Sequence, residues 1–489
     1  MAARLDRVIF AFAVVSALVT AAFVAYAFAF SPQNPVASEM GFEALRVARK
    51  LPLYVDPWKG AWEDGPPPSR YYVLYTPMFP WLVGKLAGLW SPTLAGVQTT
   101  GRAIAAAAWL GFYVPAVVLA PRERRRATLI AAMFGASVYF IARHAASMSP
   151  DTLATALVCG GVLRAVVKER IDPLAAVLLV AAPFIKPSCL GGLAGAGLVH
   201  LVLRREGWVR SVVAALGAAG VLVLACHLAS DGAWLTHIKN STGQPLTLTR
   251  WVQEYGSRFV VLGLPHLVVL WVGWKRRTTW LALAPLAGSV AWATFMMAKH
   301  GSGSHYWFEP TALAVIAISR TPPAIGSFGP EPEPAWTRWA ALAFGVLAAI
   351  TSWPQYAKEP GRYRAYEARI AALRAYCVHE ANEFVLSSDF DTEMRLNGRI
   401  SVPAWQSVFL AKSGRFPLDA WRADLARPEI RWAVLGDDPL HPPPSTNDAN
   451  VEGSPFYDVL ADALRESFEF DREVAGTRVW KRKVSAGAR

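Results

Sequence analysis

Charged residues and cysteines are scarce in this chain of 489 residues. Asp, Glu, Lys and Arg make up only 17% of it, whereas 54% of the residues are hydrophobic and 20 are tryptophan. Soluble globular domains contain about 25% charged residues, so the composition argues against a simple soluble fold. Three of the four cysteines, Cys159, Cys189 and Cys226, lie in apolar stretches, and Cys377 stands alone. The sequence therefore indicates neither a disulfide framework nor a CxxC metal site.

Several familiar motifs are also missing from the sequence. No P-loop, dinucleotide-binding fingerprint or nucleophile elbow stands in a suitable strand context. The formal net charge of +13 is compatible with nucleic-acid binding, but many of the basic residues occur in short clusters between apolar runs. Membrane topology accounts for clusters of this kind. We therefore expect membrane lipids as partners and no nucleic acid.

One apolar run follows another in the first 352 residues, and together they predict about eleven transmembrane helices across roughly 30 Å of hydrocarbon, two of them short. Arg4 and Arg7 precede the first run, and no convincing cleavage site follows it, so we expect a retained first span. The predicted spans are residues 8–30, 101–120, 127–143, 151–167, 172–185, 187–203, 209–229, 258–274, 278–298, 305–319 and 336–352.

The basic clusters set the predicted orientation in the plasma (inner) membrane. They fall in alternate short loops, as the excess of Lys and Arg in cytoplasmic loops requires, and the N-terminus is then cytoplasmic. The apolar stretch from Met78 to Trp90 is short and contains Pro80 and Lys85, and counting it as a span would invert every later loop. We interpret it as a helix in the outer interface. The clusters are residues 122–126, 168–170, 204–210 and 275–277.

The last part of the chain has the composition of an ordinary soluble domain. A helical pattern at 362–383 precedes strand-like segments at 384–389 and 432–438, and residues 468–483 predict a hairpin. Further helices are predicted at 403–413, 417–427 and 456–467. We therefore predict a transmembrane domain at residues 1–352, with a first exterior loop at 31–100 containing juxtamembrane helices, and an extracytoplasmic α/β domain at 353–489.

Ionisable side chains at membrane depth are costly and are therefore functional candidates. In the predicted topology they gather at the exterior face, where carboxylates and cations are mixed. Such a cluster suits a reaction on a phosphate-bearing lipid, because cations neutralise phosphate while a carboxylate removes a proton or holds a divalent metal. The first exterior loop adds cations, including Arg46 and Arg70, that call for an anionic ligand. The candidates are Glu39, Glu43, Asp56, Arg143, His144, Asp151, Lys186, Lys299, His300, His305 and Glu309.

Two segments of the first exterior loop carry a family resemblance. SEMGFEALRVARKLPLYVDPWKG (Ser38 to Gly60) and YYVLYTPMFPWLVGKL (Tyr71 to Leu86) resemble the corresponding loop of C-type (GT-C) glycosyltransferases. That superfamily contains the family 39 protein mannosyltransferases and the aminoarabinose transferases. SPD at 149–151, FIKPS at 184–188 and SHYWFEP at 304–310 are further matches. The likeness covers most of the membrane region, and it rests on the order of these motifs and on topology.

The resemblance implies transfer of a sugar from a polyprenyl-phosphate donor, such as an undecaprenyl phosphate, to an extracytoplasmic acceptor, with inversion at the anomeric carbon. Glu39 matches the acidic residue that acts as base, although many relatives have Asp then Glu where this chain has Ser38 then Glu39. Glu43 or Asp56 is the alternative base, and Asp151 matches a second acidic position. A divalent cation, Mg²⁺ or Mn²⁺, is compatible with the reaction but not required. Arg143, Lys186, Lys299 and His305 are then expected to hold the phosphate, and Tyr72, Tyr75 and Tyr306 to line the sugar or lipid.

Simpler roles remain open for the same residues. Ser38 and Glu39 are ordinary residues for a helix N-terminus, as are Pro150 and Asp151. Lys186 has a stem long enough to reach the interface without binding a ligand. Two other functions also remain open. One is a lipid or sugar transporter or flippase, which predicts repeats and broken helices. The other is an inactive glycolipid-binding relative, which is compatible with Ser38 standing where many members of the superfamily have Asp.

Overall fold

The structure is a computed structural model, and the residues it describes fall into two compact units. Unit 1 comprises Met1–Ser31, Gly101–Cys226 and Leu246–Glu359; unit 2 comprises Pro32–Thr100, His227–Pro245 and Pro360–Arg489. Residues 32–100 thus group with the C-terminal residues, whereas the predicted division keeps them with the transmembrane domain. The division at 352/353 across a membrane stays a prediction. The described residues are 2–30, 35–73, 75–203, 206–241, 246–256, 259–299, 303–322, 325–326, 329–330, 335–378, 383–401, 410–411, 413–435 and 460–483.

Helices form most of the described chain, and α4 and α17 contribute residues to both units. The helices are α1 (Ala2–Phe30), α2 (Pro35–Ala48), α3 (Met78–Gly88), α4 (Leu94–Val118), α5 (Arg122–Ala136), α6 (Tyr139–Ala145), α7 (Pro150–Val167), α8 (Pro173–Ile185), α9 (Gly191–Leu203), α10 (Trp208–Ala229), α11 (Trp234–Ser241), α12 (Leu248–Trp251), α13 (Phe259–Leu262), α14 (Leu264–Lys275), α15 (Trp280–Met296), α16 (Phe308–Arg320), α17 (Ala335–Cys377), α18 (Phe390–Asn397), α19 (Leu418–Leu425) and α20 (Ala461–Ser467). The strands are β1 (Ile325–Gly326), β2 (Gly329–Pro330), β3 (Phe384–Ser387), β4 (Ile430–Leu435), β5 (Phe468–Val474) and β6 (Thr477–Arg482).

Within the described residues, four helices are long and apolar enough to cross a membrane: α1, α4, α7 and α10. The pair α5 and α6 adds a fifth crossing if it forms one bent span. Helices α8, α9 and α15 are apolar but have 17 residues or fewer, as does the apolar segment Phe259–Lys275. At 1.5 Å per residue such helices fall short of a bilayer core of roughly 30 Å. These long apolar helices identify the protein as a membrane protein. The predicted count of about eleven spans is not confirmed.

The predicted span at residues 127–143 is broken, because α5 and α6 meet at an angle of 79°. Two side chains of α17 bind the backbone groups at the break. Tyr356 donates its hydroxyl to the Ser137 carbonyl at 2.8 Å, and the Ser352 hydroxyl accepts the Tyr139 N–H at 2.9 Å. A break in an apolar segment is tolerated when neighbouring side chains satisfy the freed backbone groups.

Unit 2 contains a four-stranded sheet in the order β3-β4-β6-β5, in which β3 and β4 are parallel and the other pairs antiparallel. The predicted strands at 384–389 and 432–438 and the predicted hairpin are confirmed in the described residues. Ala475 and Gly476 connect β5 and β6 with positive φ angles of 48° and 73°, as a two-residue hairpin turn of type I′ requires. Helix α19 confirms the prediction at 417–427, and α20 confirms the described part of that at 456–467. Most of the helix predicted at 403–413 lies outside the described residues.

The segment predicted as the first exterior loop is bound to the C-terminal residues of unit 2. The Ser69 hydroxyl donates to the Ile400 carbonyl at 2.6 Å, and the Arg70 N–H donates to the Ser401 carbonyl at 2.6 Å. The Arg70 guanidinium forms a buried ion pair with Asp424 at 2.6 Å. One carboxylate and the backbone carbonyls of Pro57 and Trp58 therefore satisfy this cation, and the expectation that it calls for an anionic ligand is wrong.

Candidate functional site

A buried ion pair forms the centre of the first candidate site, in unit 1. Asp151 lies in the first turn of α7, and the Ser149 hydroxyl donates to its Oδ2 at 2.8 Å. Lys186 ends α8 with an extended backbone before Pro187, a conformation that the following proline favours. The Lys186 ammonium binds the Asp151 carboxylate, and the lysine side chain is only 2% exposed. Burial of both charges is tolerated because each is paired.

Aromatic and imidazole rings surround this ion pair. The Lys186 Nζ lies 5.4 Å from the centroid of the Tyr306 ring, within the range of a cation–π contact. The rings of His144 and His305 are nearly parallel, with centroids 6.1 Å apart. Asp151, Lys186, His305 and Tyr306 line one polar cavity, together with Ser188 and Glu309. The structure therefore brings together five of the predicted candidate residues, namely Asp151, Lys186, His305, Tyr306 and Glu309.

Glu309 lines the same cavity and forms a hydrogen bond with the backbone of α9. Its Oε1 accepts the backbone N–H of Gly192 in the first turn of that helix. A Cβ atom at Gly192 would lie 2.7 Å from the same oxygen, so the close approach requires glycine. Helix N-termini favour negative charge, and this contact gives the buried carboxyl a partner. Glu309 thus has a backbone partner in α9.

The second candidate site, in unit 2, is formed by two carboxyl groups of α2. Glu39 and Glu43 are each 1% exposed, stand four residues apart on one helix face, and have no hydrogen-bond partner among the described residues. Burial raises the pKa of Glu39 to about 8. Burial and the neighbouring Glu39 charge raise the pKa of Glu43. A carboxyl group with a pKa near the working pH is suited to general base catalysis.

The nearest cation on α2 is already bound to other groups. Arg46 is 1% exposed and forms ion pairs with Glu63, at 2.5 Å, and with Asp64. Its Nε also donates to the Pro52 carbonyl at 2.8 Å. Arg46 is therefore satisfied by protein groups, like Arg70, and its positive charge is shared with two carboxylates other than Glu39 and Glu43.

Ser38 joins α2 to α18 by a contact that the sequence does not reveal. Its hydroxyl donates to Oδ1 of Asp391 at 3.1 Å, although 353 residues separate the two in the chain. The Tyr366 hydroxyl donates to Oδ2 of the same carboxylate at 2.5 Å, and Arg395 Nε does so at 3.1 Å. Asp391 was not predicted as a site residue. No local motif marks it, because its partners come from three different helices.

Two predicted residues of the first loop have structural partners in unit 2. Asp56 Oδ1 accepts the Trp58 N–H at 3.0 Å in a turn, as a loop aspartate commonly does. The Tyr72 hydroxyl donates to the Arg415 carbonyl at 2.8 Å, and its ring contacts His237 with centroids 5.1 Å apart. These bonds explain both residues without a ligand, so their predicted ligand contacts stay predictions.

The other predicted residues are placed as follows. The Tyr75 carbonyl oxygen lies 3.5 Å from the Tyr54 hydroxyl, at the limit of a hydrogen bond. Arg143 lies in α6 directly before His144. Lys299 follows α15, and burial together with the charge of Lys186 lowers the pKa of its ammonium group. Lys299 is thus electrostatically coupled to the unit 1 cluster, and the role of Arg143 stays a prediction.

Within the described part of the chain, no three or more His, Cys, Asp or Glu side chains are grouped so that they could hold a metal ion. The compatibility of the reaction with Mg²⁺ or Mn²⁺ therefore stays an untested prediction.

Solved structures share this fold over nearly the whole chain. ArnT from Cupriavidus metallidurans in the apo state matches with a TM-score of 0.55 and 12% sequence identity over 96% of this chain and 97% of that one. The same protein bound to undecaprenyl phosphate matches with a TM-score of 0.56 and 14% identity over 97% of this chain and 98% of that one. No protein-family model matches the sequence, and neither does any curated protein. The chain therefore has the fold of ArnT, at low sequence identity.

Proposed function

We propose that this protein is a membrane glycosyltransferase that moves a sugar from a polyprenyl-phosphate donor to an extracytoplasmic acceptor. The observation that carries the proposal is the buried Asp151–Lys186 cluster in a chain with the ArnT fold, since one ArnT structure holds undecaprenyl phosphate. The protein would lie in the inner membrane with a cytoplasmic N-terminus. The acceptor would be a glycan, lipid or protein of the cell envelope.

The unit 1 cluster would bind the phosphate of the donor. When the bond between the anomeric carbon and the phosphate oxygen breaks, negative charge grows on the leaving phosphate. A buried lysine stabilises such a charge more strongly than it could in water. Lys186 would supply the positive charge that binds the phosphate, and His305 would donate a hydrogen bond to it. The ring of Tyr306 would hold the Lys186 ammonium group in place. Asp151 would keep Lys186 in place before the donor binds.

Glu39 would act as the general base on the acceptor. Its carboxylate would accept the proton of the acceptor hydroxyl while that oxygen attacks the anomeric carbon and the lipid phosphate leaves. Attack on the face opposite the leaving group inverts the anomeric centre. With a pKa of about 8, Glu39 is a stronger base than an exposed glutamate, but most molecules hold it protonated at neutral pH. Turnover is therefore expected to rise with pH up to about 8.

The test combines lipid identification with a turnover assay. Lipids that co-purify with the wild-type protein are identified by mass spectrometry, and transfer is then assayed with synthetic undecaprenyl-phosphate sugars carrying mannose, glucose, galactose or arabinose. The Glu39→Gln variant should bind donor but not consume it, and Lys186→Met should lose donor binding. Lys85→Met, at an exposed site in α3, is the matched control and should behave as wild type. Full turnover by Glu39→Gln would refute the assignment of the base.

The transporter alternative has one specific observation in its favour. The bend between α5 and α6 is a broken helix of the kind that transporters use near their substrate sites. A flippase would move a fluorescent polyprenyl phosphate across a proteoliposome membrane without breaking its sugar bond. Transbilayer movement without turnover in every donor assay would favour that function over glycosyl transfer.

A further inference from the structure

The Glu39 carboxyl group depends on α2 for its position. Neither of its oxygens has a hydrogen-bond partner among the described residues, so no bond of its own fixes its direction. Side chains without such bonds are held only by packing and by the helix that carries them. The residues that hold α2 therefore decide where the carboxyl points.

The second half of α2 is fixed by α3. A Cβ atom at Gly84 of α3 would lie only 2.5 Å from the Ala44 carbonyl oxygen and 2.6 Å from the Val47 Cβ. The two helix backbones therefore approach closely where glycine permits it. This contact lies one turn or more beyond Glu39 and leaves the start of α2 to another partner.

The first half of α2 is fixed by Asp391 of α18. Its carboxylate is 2% exposed and accepts hydrogen bonds from Ser38, from Tyr366 of α17 and from Arg395. Ser38 is the residue directly before Glu39 and is itself 1% exposed. Buried bonds to a charged acceptor are stronger than neutral ones and define geometry closely.

Helix α18 is in turn attached to the sheet. The Asn397 side chain accepts the Val385 N–H through Oδ1 and donates to the Val385 carbonyl through Nδ2, both at 2.8 Å. Val385 belongs to β3 and is fully buried. Gly398 ends the helix with a φ of 72°, a left-handed conformation that glycine adopts without strain. A continuous set of bonds thus leads from β3 through α18 to the start of α2.

We infer that Asp391 is a positioning residue that holds the first turn of α2 through Ser38 and so directs the Glu39 carboxyl. The inference rests on the proposed function, with Glu39 as the base. It gives the sheet-forming C-terminal part of the chain a role in the reaction, because that part carries α18. Asp391 does not touch the reacting atoms in this scheme and acts only through Ser38 and α2.

The experiment compares variants at both ends of the contact. Ser38→Ala removes the bond, and Asp391→Asn replaces its charged acceptor with a neutral amide. Ser38→Thr keeps the hydroxyl, and the double variant tests whether the two changes share one effect. Asp389→Asn is the matched control, because it makes the same charge change in the same region but its bonds go to Arg369 and Thr392. Turnover is measured with whichever undecaprenyl-phosphate sugar the wild type consumes. Labelling of Glu39 by dicyclohexylcarbodiimide, located by mass spectrometry, reports its carboxyl without any substrate.

Misplacement of a catalytic group by a fraction of an ångström should lower kcat by roughly tenfold and leave the donor KM nearly unchanged. We expect this for Ser38→Ala and Asp391→Asn, with no further loss in the double variant and wild-type behaviour in Ser38→Thr and Asp389→Asn. The rate of Glu39 labelling should change in the same two single variants. Folding is checked by elution volume and thermal stability, and Ser38→Ala decides if Asp391→Asn does not fold.

Each other outcome has a distinct meaning. Wild-type kcat and wild-type labelling in Ser38→Ala would overturn the inference and leave the proposed function intact if Glu39→Gln is inactive. An equal loss of kcat in Asp389→Asn would show a general effect of α18 on stability and would also overturn it. If the wild type consumes no donor, the proposed function fails, and unchanged labelling of Glu39 would then overturn the positioning role as well.

Discussion

Burial of Glu39 should make the stability of the protein fall as the pH rises, and Glu39→Gln should weaken that dependence. The pKa of the carboxyl is about 8 in the folded protein and has an ordinary value of 4.5. Between these values the folded state holds a proton that the unfolded chain has lost, so folding is disfavoured progressively as the pH rises through that window. Within that window, each rise of one pH unit lowers the free energy of unfolding by about 1.4 kcal/mol.

The expected magnitude follows from these values. Relative to a pH below 4.5, the raised pKa of Glu39 lowers the free energy of unfolding by about 3 kcal/mol at pH 7. Above pH 8 the decrease levels off at about 5 kcal/mol. Glu39→Gln cannot titrate, so its thermal stability should fall less than that of the wild type between pH 5 and pH 9. Differential scanning fluorimetry in lipid nanodiscs measures the difference, with Glu469→Gln at an exposed position of β5 as the control. Parallel curves for wild type and Glu39→Gln would refute the reasoning.

Three further predictions concern other contacts. Lys186→Met should abolish binding of undecaprenyl phosphate in nanodiscs and lower thermal stability, because it leaves the Asp151 carboxylate buried without its partner; adding Asp151→Asn should restore stability but not binding. Tyr356→Phe should cost about 1–3 kcal/mol by leaving the carbonyl at the α5–α6 break without its donor, and a thermal shift equal to zero would contradict that. Gly84→Ala should lower thermal stability, since a methyl group there meets α2 backbone atoms, whereas Gly111→Ala, with nothing within 4 Å, should not.

The parts of the fold that follow from local pattern could be predicted from the sequence. A nearly continuous apolar run marks β4, and apolar residues alternate with charged ones at the start of β5. The turn at Ala475 and Gly476 is set by the two residues themselves. The apolar run at 8–30 likewise determines α1. In each case the signal lies within a few residues, so no information about distant contacts is needed.

The parts that depend on distant partners could not be predicted. Arg70 looked like a free cation because Asp424, which neutralises it, lies 354 residues away. No proline stands at the break between α5 and α6, so the local sequence gives no signal for it. Tyr356, which binds the backbone at the break, comes from α17. Asp391 was missed for the same reason. Sequence pattern identified several polar residues that the structure places in the two candidate sites, but not the groups that satisfy them.

The environments of two predicted catalytic carboxylates divide their roles. Asp151 is bound by the Lys186 ammonium and the Ser149 hydroxyl, so taking up a proton would sacrifice a buried ion pair. Glu39 has no such partner among the described residues, and a proton on it relieves an uncompensated buried charge. A base must accept a proton readily, and of these two carboxylates Glu39 meets that condition and Asp151 does not. We therefore expect Asp151→Asn to alter donor binding through Lys186 while keeping the pH dependence of turnover, whereas Glu39→Asp should shift that dependence. A pH profile that moves only in Asp151→Asn would exchange the two roles.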